Sequence, residues 1–159
     1  MTGATFNIEN LKLYNIDYSM RNELLELYKK LSTFSEVKNV LNELKKKKYK
    51  IAILSNGTPS LLNQLVSSNN LNNIFDDIFS IEEVKIYKPH SKVYDIPIEK
   101  YKIKKNEVVF LSSNTWDVSG GGNYGYNSIW VNRKNDIFDI LDYKPKIEIN
   151  NLNKLLEIV

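Results

Sequence analysis

Three short stretches of this chain carry polar groups whose types and order could do chemistry: Ser55-Asn56-Gly57, Tyr87-Lys88-Pro89, and Ser112-Ser113-Asn114-Thr115-Trp116-Asp117. Ser55 and Asn56, with neighbouring amides at a helix N-terminus, would hold an anion, because backbone donors and the helix dipole both favour negative charge there. A carboxylate or a phosphate fits. Lys88, on a loop fixed by Pro89, can neutralise or orient a carboxylate. Asp117 can act as a base on a water. What is missing is a nucleophile: nothing ahead of Ser55 reads as an apolar strand ending in an Asp-containing turn.

Taken singly, each residue has an ordinary role. Ser, Asn and Gly are common turn residues, Lys88 reads as a surface lysine, and Asp117 as the N-cap of a following helix. Trp116 reads as core packing and Tyr94 as a half-buried helix residue. Jointly, in this order, they argue for one pocket.

The elements that must position them follow from periodicity. Leu24, Leu25, Leu27, Tyr28 and Leu31 mark one amphipathic helix, and Val37, Val40, Leu41 and Leu44 fall at i, i+3, i+4, i+7 on the next. Lys50 to Leu54 is a short apolar run that reads as a buried strand. Thr58 and Pro59 then open a helix as N-cap and first helical residue, with Leu61, Leu62, Leu65 and Val66 as its buried stripe. Further strands are expected at Ile78–Ile81, Glu107–Leu111 and Ser128–Val131, an edge strand at Ile147–Ile149, and helices at His90–Lys100 and Leu152–Ile158. Alternating strands and helices imply an α/β fold with a parallel sheet and helices on both faces. In such sheets ligands sit at the carboxyl ends of the strands, where Ser55-Asn56 and Ser112 to Asp117 both fall.

Composition narrows the function classes. Lysine and arginine number 22 against 19 acids, a net charge of +3, and the excess gathers at Lys45 to Lys48. A lysine run in the last turn of a helix complements its dipole, so nucleic acid is not expected as a partner. With no cysteine and one histidine, His90, neither a thiolate nor a histidine metal cluster can form. No stretch approaches the ~20 apolar residues of a membrane span and no basic, apolar leader opens the chain, so the expected location is the cytoplasm.

Together these residues resemble the haloacid dehalogenase superfamily, and within it the type II (S)-2-haloacid dehalogenases. The resemblance runs from about Tyr28 to Arg133 and includes Ile53-Leu54-Ser55-Asn56-Gly57, Tyr87-Lys88-Pro89 with Tyr94, Ser-Ser-Asn-x-Trp-Asp at residues 112–117, and Trp130-Val131-Asn132-Arg133. It implies a Rossmann-like parallel sheet under a helical cap, with residues 1–34 as cap remnant and 35–159 as core. It implies that Ser55 and Asn56 bind the carboxylate of a small 2-haloacid, that Lys88 orients a nucleophilic aspartate, that Asn114 helps hold the site and that Asp117 assists ester hydrolysis. Tyr94 and Ser112 match further positions lining the family's active site, and Trp116 an apolar wall. It further implies an aspartyl ester formed with inversion and cleaved by water, no cofactor, no metal, and a homodimer, although the helices between Met20 and Lys48 could equally pack on their own core. Phosphatases of the superfamily place a pair of acids in the last loop to hold magnesium; here Asp117 is the only acid in it.

The sequence also departs from that pattern. The family's nucleophile belongs to an Asp-x-Tyr-Gly-Thr motif at the end of a first strand at the sheet centre, and a cap arginine grips the substrate; neither has a counterpart here. Asp17, followed by Tyr18-Ser19-Met20, lacks the Gly-Thr turn. Ala4 to Lys48 instead resemble the later cap and the return into the core. The expectation is therefore a chain inactive by itself. Its two flanking strands either pair with each other or leave an open slot that lowers solubility. Gly120, Gly121 and Gly122 are expected to loosen the start of a helix, since glycine is unfavourable in a helix interior. With Gly125 they formally spell Gly-x-Gly-x-x-Gly, but a dinucleotide fingerprint should follow its strand directly, and Ser112 to Ser119 intervene. A non-catalytic anion-binding remnant and a magnesium-dependent phosphatase are the competing readings.

Overall fold

The computed structural model describes residues 12–159. The part of the cap reading that falls on Ala4 to Leu11 lies outside the described residues. After a 3-10 turn at Tyr18–Met20, capped by Asp17 through Ser19, come α1 (Arg21–Tyr28) and α2 (Val37–Lys46). The stripe of α2 is buried at Val40, Leu41 and Leu44. No residue of α1 is buried, its apolar stripe is weaker than that of α2, and Leu31, expected on that stripe, lies beyond its end. Periodicity marks which face of a helix is apolar, not whether anything covers it.

Two parallel sheets carry the core. β1 (Ala52–Ser55) pairs with β2 (Asp77–Ser80), and β3 (Val109–Ser112), β4 (Asn127–Val131) and β5 (Ile147–Ile149) form the second in the order β3-β4-β5. α3 (Pro59–Ser68) connects β1 to β2, α4 (Ser91–Tyr101) connects β2 to β3, and α5 (Thr115–Tyr124) connects β3 to β4. Thr58 caps α3 by accepting from the Leu61 N–H, as its sequence implies, and His90 Nδ1 caps α4 by accepting from the Lys92 N–H at 3.2 Å. The expected C-terminal helix is present as a short 3-10 helix, Leu152–Glu157. The lysine run at the end of α2 is engaged locally: Lys45 meets Asp76, Lys46 meets Glu43, and Lys47 Nζ donates to the Val159 carbonyl at 2.8 Å.

β1 and β3 do not pair with each other, and among the described residues no strand lies between them, which is the open-slot alternative. The Asp76 N–H donates to the Ile51 carbonyl on the β2 side, which turns the groups of Leu54 to the opposite edge. The Asn127 N–H donates to the Val108 carbonyl, which turns Val109 and Leu111 away from β4. Burial agrees: every residue of β4 after Asn127 is buried, whereas no residue of β1 or β3 is. That inverts the usual order of a parallel sheet, whose inner strands are the most covered. Ile53 and Leu111 nevertheless pack against one shared core with Val40, Leu41, Ile129 and Val131.

The three consecutive glycines do not loosen α5, which runs unbroken from Thr115 to Tyr124. A Cβ at Gly121 would stand 2.6 Å from Phe110 Cδ1, and one at Gly122 2.1 Å from the Tyr143 ring. The intrinsic preference of about 1 kcal/mol per glycine is overridden by the close packing that only glycine permits. Gly125, at φ +112°, ends the helix in the left-handed conformation that glycine adopts without strain.

Candidate active site

The site residues lie at the carboxyl ends of β1 and β3, on the Lys88 loop, in the first turn of α5 and, for Tyr94, on α4. Ser55 is the last residue of β1, and its Oγ accepts the Gly57 N–H at 3.0 Å, folding the turn into α3. Ser80, at the matching end of β2, locks that turn from below by donating from Oγ to the Gly57 carbonyl at 2.7 Å. Asn56 Oδ1 accepts the Lys88 backbone N–H at 3.1 Å. The Ser-Asn-Gly run thus shapes the turn and also anchors the lysine loop.

Lys88 is drawn inward. Its Nζ donates to Asp117 Oδ2 at 2.7 Å and to the Leu54 carbonyl, on the open edge of β1, at 3.1 Å. Side-chain exposure is only 8% for Lys88 and 4% for Asp117. The ammonium also lies 5.6 Å from the centre of the Phe110 ring. A buried charge requires a partner and hydrogen bonds, and here each ion provides them for the other.

Asp117 stands in the first turn of α5, where an acid complements the helix dipole. Its second oxygen, Oδ1, accepts from Tyr94 Oη at 2.9 Å. The expected free base is therefore a carboxylate held on both oxygens, and it enters any chemistry as one half of a pair with Lys88. Tyr94, expected to line the substrate site, is fully buried behind Asp117 and spends its hydroxyl there. Burial, with the Asp117 charge and hydrogen bond added, pushes the Tyr94 hydroxyl well above the usual phenol range. Its ring is edge-on to Phe110 and Tyr126, and Tyr126 donates from Oη to the Tyr94 carbonyl.

The last loop is organised around its own backbone. Ser112 Oγ accepts the Asn114 N–H at 3.2 Å, and Trp130 Nε1 donates to the Ser113 carbonyl at 3.1 Å. Asn114 is the N-cap residue of α5 without a side-chain cap bond, and its side chain is exposed. Trp116 is 39% exposed, so its ring is accessible to a ligand rather than packed in the core. Arg133, at the end of the resemblance, is tied to Glu36, which also accepts the Leu152 N–H; the pair joins the entry of α2 to the C-terminal segment, outside the Lys88 cluster.

The structure thus links Asn56, Lys88, Asp117 and Tyr94 in one chain of hydrogen bonds, with Ser55 beside it at the end of β1 and Ser112, Asn114 and Trp116 on the adjoining loop. Sequence reasoning missed Ser80, Phe110 and Tyr126. Their types signal nothing by themselves, and only the register of β2 against β1 and of β3 against β4 brings them to the site. Asp17 stays apart as the cap of its exposed turn. A hollow of about 440 Å³ between α1 and α3, lined by Glu26, Lys29, Asn63 and Ser67 among others, contains none of the site residues. No group of three or more potential metal ligands occurs among the described residues, and no described helix is long and apolar enough to cross a membrane.

Residues 3–131 match the family model of the haloacid dehalogenase-like hydrolases. Over 144 residues the chain is 34% identical to an (S)-2-haloacid dehalogenase of Pseudomonas sp. strain YL, an alignment covering 91% of this chain and 62% of that protein. The (S)-2-haloacid dehalogenase 4A of Burkholderia cepacia is 31% identical, over 95% of this chain and 63% of its own. The chain therefore spans less than two thirds of the length of these curated relatives. Among solved structures, an L-2-haloacid dehalogenase from Xanthobacter autotrophicus with chloropropionic acid covalently bound superposes with a TM-score of 0.86 at 25% identity, covering 94% of this chain and 71% of that one. With its two parallel half-sheets, its Lys88–Asp117 pair and these matches, the chain belongs to the haloacid dehalogenase-like hydrolases.

Proposed function

We propose that this site takes a small (S)-2-haloalkanoate and serves its hydrolytic dehalogenation. The observation that carries the reading is the Lys88 ammonium, buried and shared between Asp117 and the open edge of β1, with Ser55 and Asn56 at the end of that same strand. Ser55 Oγ–H and the Asn56 amide nitrogen are donors suited to the substrate carboxylate, and Trp116 offers apolar surface beside them. In the reaction a carboxylate oxygen attacks C2, the carbon–halogen bond breaks, and halide leaves with the electron pair. Water then attacks the ester carbonyl, releasing the 2-hydroxy acid, one proton and the original carboxylate. Lys88 balances negative charge at both steps, with Asp117 fixing where its ammonium points.

The described residues assign no carboxylate to the first step, since Asp117 is held by Lys88 and Tyr94 and Asp17 is a turn cap. We therefore include in the proposal that this chain by itself binds substrate without turnover, the attacking group belonging at the slot between β1 and β3. The division into a cap remnant over residues 1–34 and a core over 35–159 is part of the same reading; α1 has no buried residue whereas α2 has three. So are a cytoplasmic location and a homodimer, the latter supported by exposed Leu27, Leu31 and Phe34.

The test is a thermal melt of the full chain with (S)-2-chloropropionate or (S)-lactate, beside a halide-release assay. A ligand present at a hundredfold its Kd stabilises by about 2.7 kcal/mol, and the shift should vanish in Ser55→Ala. No stabilisation by either acid would defeat the reading, and magnesium-dependent hydrolysis of p-nitrophenyl phosphate would replace it with a phosphatase.

A further inference from the structure

We propose that Gly120 is a positioning residue for the Lys88–Asp117 pair, by allowing the lysine loop to close onto α5. The inference takes that pair as the centre of the site proposed above, but its test requires no turnover.

Gly120 follows Asp117 by three residues on α5 and so lies on nearly the same face. A Cβ at this position would stand 2.5 Å from Pro89 Cβ, 2.6 Å from Tyr94 Oη and 3.4 Å from Pro89 Cα. Neither neighbour is the free end of a flexible side chain. Pro89 is a ring whose preceding residue is pinned on the other side by the bond from the Lys88 N–H to Asn56 Oδ1. Tyr94 is fully buried, its ring set against Phe110, Tyr124 and Tyr126. Relieving the closer contact from 2.5 Å to the 3.4 Å where ordinary packing begins requires a displacement of about 0.9 Å. The bonds that depend on this approach are 2.7 Å for Lys88 to Asp117 and 2.9 Å for Tyr94 to Asp117. Taken up along either bond, a shift of that size carries it beyond hydrogen-bond range.

The next two glycines differ in what they face. A Cβ at Gly121 stands nearest Phe110 and Ser128, and one at Gly122 nearest Tyr143, rather than Pro89 or the Tyr94 hydroxyl. Gly122→Ala therefore makes the same change in helix preference as Gly120→Ala, with a steric conflict of its own, but away from the lysine loop. Asn56 on one side and Gly120 on the other form a clamp across Lys88-Pro89.

The experiment is the ammonium spectrum of the full chain labelled with 15N-lysine, read as the exchange rate of the Lys88 Nζ protons with water. In the unaltered chain a buried ammonium with two acceptors should give a protected resonance, assigned by its loss in Lys88→Met. Gly120→Ala should raise its exchange at least tenfold while Gly122→Ala leaves it unchanged. Pro89→Gly, which opens the same contact by removing atoms rather than adding them, should also raise it and stands in if Gly120→Ala does not fold. Unchanged exchange in Gly120→Ala or in Pro89→Gly overturns the proposal, as does a Lys88 resonance unprotected from the outset. A failure of the haloacid reading would appear instead in the ligand melts and leave this spectrum untouched.

Discussion

Lys88 Nζ and Asp117 Oδ2 lie 2.7 Å apart, and both side chains are almost wholly withdrawn from water. The pair joins two half-sheets that share no backbone ladder: Lys88 also reaches the Leu54 carbonyl on β1, while Asp117 begins the helix that follows β3. A surface ion pair contributes little, but breaking a buried one strands a charge in a poor solvent.

Removing both partners should therefore cost less than the sum of removing each alone. Lys88→Met and Asp117→Asn are each expected to lower stability by about 3 kcal/mol, and the double variant by clearly less than the sum of the two. Urea unfolding of the four proteins closes the cycle. Additive losses would mean that the two side chains are not energetically coupled.

Asp76 gives a pH dependence with a defined sign. The Ile51 N–H, then Lys45 and Lys50, hold its carboxyl down at about 2, below its ordinary 3.8. A folded-state value below the unfolded one stabilises above the unfolded value and is lost as pH falls. The contribution, roughly 2 kcal/mol, should be fully present above about pH 4 and fade towards pH 2. Melts of the unaltered chain and Asp76→Asn should therefore converge across that interval. A constant gap down to pH 2 would contradict the assignment.

At the alkaline end the tyrosines act in the opposite direction. Burial raises the hydroxyls of Tyr94, Tyr101, Tyr124 and Tyr126 above the usual phenol range, with Asp117, Asp77 and Asp95 reinforcing the first three respectively. For a raised value the stabilisation is complete below the unfolded value of about 10 and declines as pH rises past it. Ultraviolet titration should show these four hydroxyls resisting ionisation until the chain unfolds, with one fewer resisting in Tyr94→Phe. Ionisation of all four in the folded chain near the usual phenol value would refute this.

The open slot should be visible in amide exchange. Leu54, Val109 and Leu111 turn their backbone groups to the edges that face no strand among the described residues, whereas Ile53 and Phe110 face their ladders. Exchange at alternate positions of β1 and β3 should differ by an order of magnitude or more. Uniform protection along both strands would mean the slot is filled. Open edges also favour association, so the sedimentation coefficient should rise with protein concentration.

Local chemistry was readable from the residue order. The strands ending at Ser55 and Ser112, the Thr58-Pro59 helix start and the α2 stripe all appear within two residues of where periodicity and capping put them, because each depends on neighbours in the chain. The gathering of Ser55, Lys88 and Asp117 followed too, since parallel strands deliver their carboxyl ends to one side. Only the tertiary structure decided which partner each group meets. It set Tyr94 behind Asp117, gave Asn56 to the Lys88 backbone, and left no residue of α1 fully buried. It also reversed the expectation for the glycines of α5, because a residue's intrinsic preference is a local quantity of about 1 kcal/mol, whereas the approach of Pro89, Phe110 and Tyr143 is imposed by distant chain.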